Sequence, residues 1–65
     1  MIDHERQKWI NAAGEYYELE LGVTREQGAK IANELIKVKG DLDPLAAVAW
    51  DVHENPDPLV DPGAL

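Results

Sequence analysis

The chain has 65 residues, no cysteine, 45% apolar residues and a formal net charge of −7. A chain this short forms one small hydrophobic core, which self-association or a partner helps to hold together, so a homo-oligomer is one expectation. Without cysteine, disulfide frameworks and thiolate zinc sites are excluded. The first residues lack the basic and apolar regions of a secretory signal, and no apolar run is as long as a membrane span. We therefore expect a soluble cytoplasmic protein with no membrane partner.

The first predicted helix covers residues 4–21. Apolar residues recur along it at helical spacing, and Asp3 and Glu5 place negative charge at the positive end of the helix dipole. Gly14, in the middle, lowers helix stability by up to about 1 kcal/mol relative to alanine, which indicates that another backbone passes close to it. Gly22 is typical of a helix that stops in a left-handed conformation.

Two further helices are predicted from capping signals. The segment Thr24–Gln27 fits a capping box, and a helix over 25–39 follows it. Asp43 as N-cap and Pro44 in the first turn begin a third helix over 44–54. The predicted core takes apolar residues from all three helices: Ile10, Ala13, Tyr17, Leu21, Ile31, Leu35, Leu45, Val48 and Val52. The second helix is also expected to bury Ala32 and Val38, with Ile36 at the margin.

The remaining residues predict an extended, acidic, Pro-rich C-terminal tail, because proline interrupts helices. Leu59 and Val60 either fold back onto the helices or stay free to insert into a partner groove, and partial disorder is common in such a segment. The predicted fold class is therefore all-α, with a small three-helix bundle over 1–54 and an extended tail over 55–65.

The charges are distributed unevenly along the chain. All six basic residues lie in the first 39 positions. Residues 40–65 carry no base but hold Asp41, Asp43, Asp51, Glu54, Asp57 and Asp61. Because nucleic-acid affinity comes mainly from Lys and Arg at phosphates, we expect no direct binding of nucleic acid. A protein partner with a basic groove complements this half of the chain, although acids also keep a small protein in solution.

Candidate catalytic and metal-binding residues are few. His4 and His53 stand far apart and outside any ligand-pair spacing, and the segment 41–43 lacks the later ligands of a calcium loop, so no metal or cofactor is expected. Glu15 and Glu18 lie one turn apart, but no cleft is expected around them and we interpret them as a solvated helix face. The chain has no serine or cysteine, and its lone threonine serves as a cap. We therefore expect no enzymatic activity.

Trp50 and the acids near it are the predicted partner site. Tryptophan is enriched both in small cores and at binding hot spots. Small alanines surround Trp50, so its ring either joins the core or anchors a partner. In this hypothesis a line of carboxylates lies beside an apolar anchor, and the partner-binding residues are Trp50, Asp51, Glu54, Asp57, Leu59 and Asp61. The alternative is an aromatic patch on the first helix formed by Trp9, Tyr16 and Tyr17.

One further pattern extends over Leu21–Gln27, Leu42, Ala46–Trp50 and His53. In these segments the chain resembles a ubiquitin-associated (UBA) domain. This resemblance implies a compact three-helix bundle that binds ubiquitin or another protein through the first loop and the third helix. In this sequence the implied surface consists of Gly22, Val23 and the face near Val48 and Val52.

In size, acidity and lack of catalytic residues, the chain is also similar to small phage-encoded inhibitors, anti-CRISPR proteins among them. We therefore predict a non-enzymatic, acidic protein-binding module that acts as an inhibitor or adaptor on a larger complex. It either competes with nucleic acid for a basic groove or inserts an apolar anchor into a pocket. The alternatives are a UBA-like binding domain and an antitoxin.

Overall fold

The computed structural model describes residues 3–59, which form three helices and no strand. Helix α1 runs over Asp3–Leu21, α2 over Arg25–Lys39 and α3 over Pro44–His53. The predicted all-α class is confirmed, and the helix bounds differ from the predicted ones by a single residue at two ends. Within the described range, none of the helices combines the length and the apolar character needed to cross a bilayer.

The helix ends are made by the predicted caps. The Thr24 hydroxyl accepts a hydrogen bond from the backbone N–H of Gln27 at 3.1 Å, and the Gln27 side chain accepts one from the Thr24 N–H at 3.1 Å. The Asp43 carboxylate accepts from the Ala46 N–H at 3.1 Å. Gly22 has a φ of 71°, so it ends α1 in the left-handed region. The Thr24 and Asp43 caps satisfy N–H groups that have no partner inside their helices.

Helices α1 and α2 cross where two glycines face each other. A Cβ atom on Gly14 would lie 3.2 Å from the backbone nitrogen of Ala29, and one on Gly28 would lie 2.6 Å from the Gly14 carbonyl oxygen. The close backbone approach expected at Gly14 is thus present, and Gly28 is the residue of α2 that faces Gly14 there. Helix α1 packs against both other helices, whereas α2 and α3 make little contact with each other.

The core draws on all three helices, with α1 at its centre. Its buried apolar side chains are Trp9, Ile10, Ala13, Tyr17, Val23, Ala32, Leu35, Ile36, Ala47 and Val48. Partly buried side chains pack around them: Tyr16, Leu21, Ile31, Trp50, Val52 and Leu59. Helix α1 therefore forms the scaffold on which α2 and α3 are placed.

Two residues expected in the core lie on the surface. Leu45 is 54% exposed and Val38 is 56% exposed. On α3 the inward row contains Ala47 and Asp51, which are one turn apart, and Leu45 falls outside this row. On α2 the row that meets α1 includes Ile36, so Val38, two residues further on, points away from it.

After α3 the chain turns back toward the bundle. Leu59 is partly buried against the core, and its backbone N–H donates to the Asp51 carboxylate at 2.9 Å. Of the two alternatives for Leu59, the structure shows the folded-back one. Val60 and the rest of the predicted tail, residues 61–65, lie outside the described residues.

Candidate functional site

Asp51, which we expected to project from α3 toward a partner, is fully buried at 0% exposure. Its carboxylate accepts hydrogen bonds from the Tyr17 hydroxyl at 2.6 Å, from the Asn55 amide at 2.9 Å and from the Leu59 N–H at 2.9 Å. The prediction that Asp51 belongs to an exposed line of negative charge is wrong. The position of Asp51 on α3 turns its side chain toward α1. One donor on α1 and two donors that follow α3 offset the cost of removing the carboxylate from water.

The Tyr17 hydroxyl is the partner of Asp51 on α1. Burial raises the pKa of Tyr17 far above its ordinary range, and the hydrogen bond to Asp51 and the negative charge of Asp51 raise it further. The phenol therefore stays protonated in the folded chain and donates a hydrogen bond to the Asp51 carboxylate. Because both groups lie inside the bundle, we interpret the pair as a structural link between α1 and α3.

Four other acids of the C-terminal half do lie on the surface. They are Asp41, Asp43, Glu54 and Asp57, and we call them the acidic face. The first two precede α3 and the other two follow it. Over residues 3–59, none of these carboxylates has a Lys or Arg nitrogen within 4.0 Å, since the ion pairs found there involve acids of α1 and α2. The sixth acid of this half, Asp61, lies outside the described residues.

Trp50 lies between the two ends of the acidic face. Asp43, Trp50 and Glu54 are spaced i, i+7 and i+11, which places them close to one line along α3. The Trp50 ring is partly buried, and the Lys39 ammonium nitrogen lies 4.6 Å from the ring centroid. A cation–π contact at an exposed site contributes about 0.5–1 kcal/mol. The cover over the ring is therefore weak enough for another cation to replace it.

Trp9 has the opposite role from Trp50. It is only 9% exposed, and its indole N–H donates to the Leu42 carbonyl at 2.9 Å. Trp9 is therefore a core residue that also fixes the loop before α3. Trp50 is only partly buried and is the more accessible of the two tryptophans.

Two exposed leucines near the start of α3 were not predicted as site residues. Leu42 is 36% exposed and lies between Asp41 and Asp43 in the sequence, whereas Leu45 is 54% exposed and lies about 140° around α3 from Trp50. No local signal marked them, because the inward register of α3 depends on donors that Asp51 meets elsewhere in the chain. Leu59, named as an alternative anchor, is tied to Asp51 and is not a freely exposed one.

Glu15 and Glu18, one turn apart on α1, have different surroundings. The Glu18 carboxylate pairs with Arg25 at 3.3 Å across α1 and α2. Glu15 lines a shallow cleft of about 210 Å³ between these helices. No cleft was expected around Glu15 and Glu18; this one adjoins Glu15, and its other lining residues are Ile10, Asn11, Gly14, Arg25 and Ala29. Within the described part of the chain, no three potential ligands cluster as a metal site would require.

The surface implied by the UBA resemblance is partly internal. Val23 is 8% exposed and Val48 is 1% exposed, so neither presents an apolar side chain to a partner. No protein-family model, curated protein or solved structure matches the chain. The resemblance stays a prediction, and the function has to be argued from the acidic face itself.

Proposed function

We propose that this chain is a non-enzymatic protein-binding module whose acidic face docks into a basic groove of a larger protein. The observation that supports this most directly is the exposure of four carboxylates around α3, with no Lys or Arg after residue 39 to neutralise them. A surface that served only solubility would mix both signs of charge. Complementary potentials speed the encounter with an oppositely charged partner and exclude wrong ones.

The dimensions of the acidic face suit a groove that holds nucleic-acid phosphates. Helix α3 has 10 residues, so at about 1.5 Å per residue its two acidic ends lie about 15 Å apart. Along the duplex axis, one strand of DNA advances about 3.4 Å per phosphate, so a face aligned with that axis spans the rise of roughly four phosphates. A module of this kind competes with nucleic acid and thereby inhibits or redirects the larger complex, as in the small phage-encoded inhibitors that the chain resembles.

Apolar side chains add binding affinity that exposed charges alone do not supply. Exposed ion pairs contribute little net affinity, because their charges stay in water and are screened by salt. Leu42 and the Trp50 ring lie on or beside the acidic face and provide apolar area that a partner removes from water. The acids then set the rate and orientation of binding, and the apolar side chains slow dissociation.

The proposal is tested by charge reversal at two matched sets of exposed acids. One variant carries Asp41→Lys, Glu54→Lys and Asp57→Lys, which leaves the Asp43 cap intact. The control carries Glu5→Lys, Glu15→Lys and Glu20→Lys on α1, which makes the same change in net charge. Both are compared with the wild type as bait in nuclease-treated lysate of the native host, after circular dichroism has shown equal helicity.

We expect the wild type and the α1 control to retain the same protein, and the acidic-face variant to lose it. An added oligonucleotide should displace the retained protein from the bait. Retention by all three baits, or retention that the oligonucleotide does not affect, contradicts competition for a basic groove. Retention of nothing by the wild type contradicts the proposed module altogether.

A further inference from the structure

A cation of the chain itself lies on Trp50, between the two ends of the acidic face. Lys39 is the last residue of α2, and its ammonium lies over the Trp50 ring, 4.6 Å from the centroid. In the described range, the ion pairs are Arg25 with Glu18 and Lys37 with Glu34, so Lys39 rests on an aromatic ring and not on a carboxylate. The ring of Trp50 is thus a cation-binding surface in the folded chain.

The surroundings of Trp50 favour a cation for a second reason. Glu54 follows Trp50 by four residues, about one helical turn, and is exposed. Asp43 lies on the same line in the other direction, and both carboxylates raise the negative potential around the ring. The face of an aromatic ring is itself negative, so the ring and the acids attract the same kind of group.

We infer that Trp50 is the receptor for an arginine side chain of the partner, and that Lys39 occupies this place until the partner displaces it. The inference rests on the proposed function, since it names the group that the basic groove contributes at the centre of the acidic face. A guanidinium is planar and stacks on an aromatic ring, whereas an ammonium is a compact and strongly hydrated charge. Arginine therefore replaces Lys39 on the ring more readily than lysine does.

A blocked tetra-arginine peptide is the probe for this site, and a blocked tetra-lysine peptide of equal charge is its comparison. Binding is followed in every chain through its backbone amide resonances. In the wild type, the indole N–H resonance of Trp50, which Trp50→Leu identifies by its disappearance, also reports contact at the ring. Trp9 provides an internal reference because its indole N–H is already bonded to Leu42. We expect the arginine peptide to bind at least threefold more tightly than the lysine peptide and to shift the Trp50 resonance selectively.

Two variants at the ring separate stacking from charge. Trp50→Leu removes the ring and should remove the preference for arginine, while Trp50→Phe keeps a weaker ring and should retain part of it. Because Trp50 packs partly on the core, Trp50→Phe also keeps the test valid if the leucine variant folds poorly. An arginine preference that is equal in all three chains contradicts the inference.

The role of Lys39 is tested against a neighbour of identical charge. Lys39→Gln should increase affinity for the arginine peptide at least threefold more than Lys37→Gln does, since only the first vacates the ring. If the two variants increase the affinity equally, the loss of one positive charge alone is responsible. This result contradicts displacement of Lys39 from the Trp50 ring.

The outcomes separate this inference from the proposed function. If the arginine preference is independent of Trp50 but the acidic-face variant no longer retains the host protein, the inference fails and the proposed function stands. If the acidic-face variant also retains the host protein unchanged, both fail.

Discussion

The Tyr17 hydroxyl on α1 and the Asp51 carboxylate on α3 are joined by a buried 2.6 Å hydrogen bond that spans 34 residues of sequence. The same carboxylate also receives Asn55 and Leu59, so one buried acid connects α1, α3 and the chain that follows α3. Hydrogen bonds to a charged group are stronger than neutral ones, and leaving such a group unpaired in the interior is costly. The orientation of α3, and with it the acidic face, depends on this pair.

Replacing Tyr17 by phenylalanine should lower the free energy of unfolding by about 1.5–3 kcal/mol, because one Asp51 oxygen loses its donor inside the core. The neighbouring variant Tyr16→Phe is the control, and it should cost less than about 1 kcal/mol because Tyr16 is only partly buried. Urea denaturation followed by circular dichroism measures both. Equal losses in the two variants contradict a special role for the Tyr17–Asp51 bond.

The raised pKa of Tyr17 predicts a loss of stability in alkali. Folding favours the protonated phenol, so this contribution is complete below the ordinary tyrosine pKa of about 10 and declines as the pH rises above it. In a Tyr16→Phe chain, phenolate absorbance reports Tyr17 alone. We expect that absorbance to appear together with the loss of helicity, whereas ionisation of Tyr17 in a chain that remains helical contradicts the prediction.

The two glycines at the crossing of α1 and α2 should respond unequally to alanine. Gly28→Ala places a Cβ atom 2.6 Å from the Gly14 carbonyl oxygen, so the helices must separate, and we expect a loss of about 1–3 kcal/mol. At Gly14 the nearest atom is 3.2 Å away, and the gain of up to about 1 kcal/mol in helix propensity offsets part of the strain. Thermal unfolding of the two variants tests this order, and a Gly28→Ala chain as stable as the wild type shows that the crossing is not tight.

The helix bounds were predictable because caps are local. Thr24, Gln27 and Asp43 bond to backbone groups within three residues, so sequence spacing alone places them. The need for a close backbone neighbour at Gly14 was predictable for a similar reason, since a glycine inside a helix is unfavourable without one.

The inward face of α3 was not predictable in the same way. Leucine and valine were expected inside and aspartate outside, but α3 turns Ala47 and Asp51 inward and leaves Leu45 exposed. Burial of Asp51 depends on donors from α1 and from the chain after α3, which are 34 and 8 residues away. Such a long-range network overrides residue hydrophobicity, and its consequence is that the candidate site loses Asp51.

The capping box before α2 provides a further test of the fold. Thr24→Ala should lower stability by about 1 kcal/mol, because the Gln27 N–H loses its acceptor. Thr24→Ser keeps the hydroxyl and should stay close to the wild type. Urea midpoints compare the three chains, and a serine variant as unstable as the alanine variant means that the hydroxyl is not the stabilising group.

The salt dependence of binding tests the central claim most directly. The claim is that exposed carboxylates of the acidic face meet a basic groove. For the purified protein that the wild-type chain retains, we expect the association rate to fall about tenfold or more between low and high ionic strength, because steering by exposed charges is screened. The acidic-face variant should associate slowly at every salt concentration. An association rate that is insensitive to salt in the wild type, and unchanged in the variant, would contradict the account and assign binding to the apolar side chains alone.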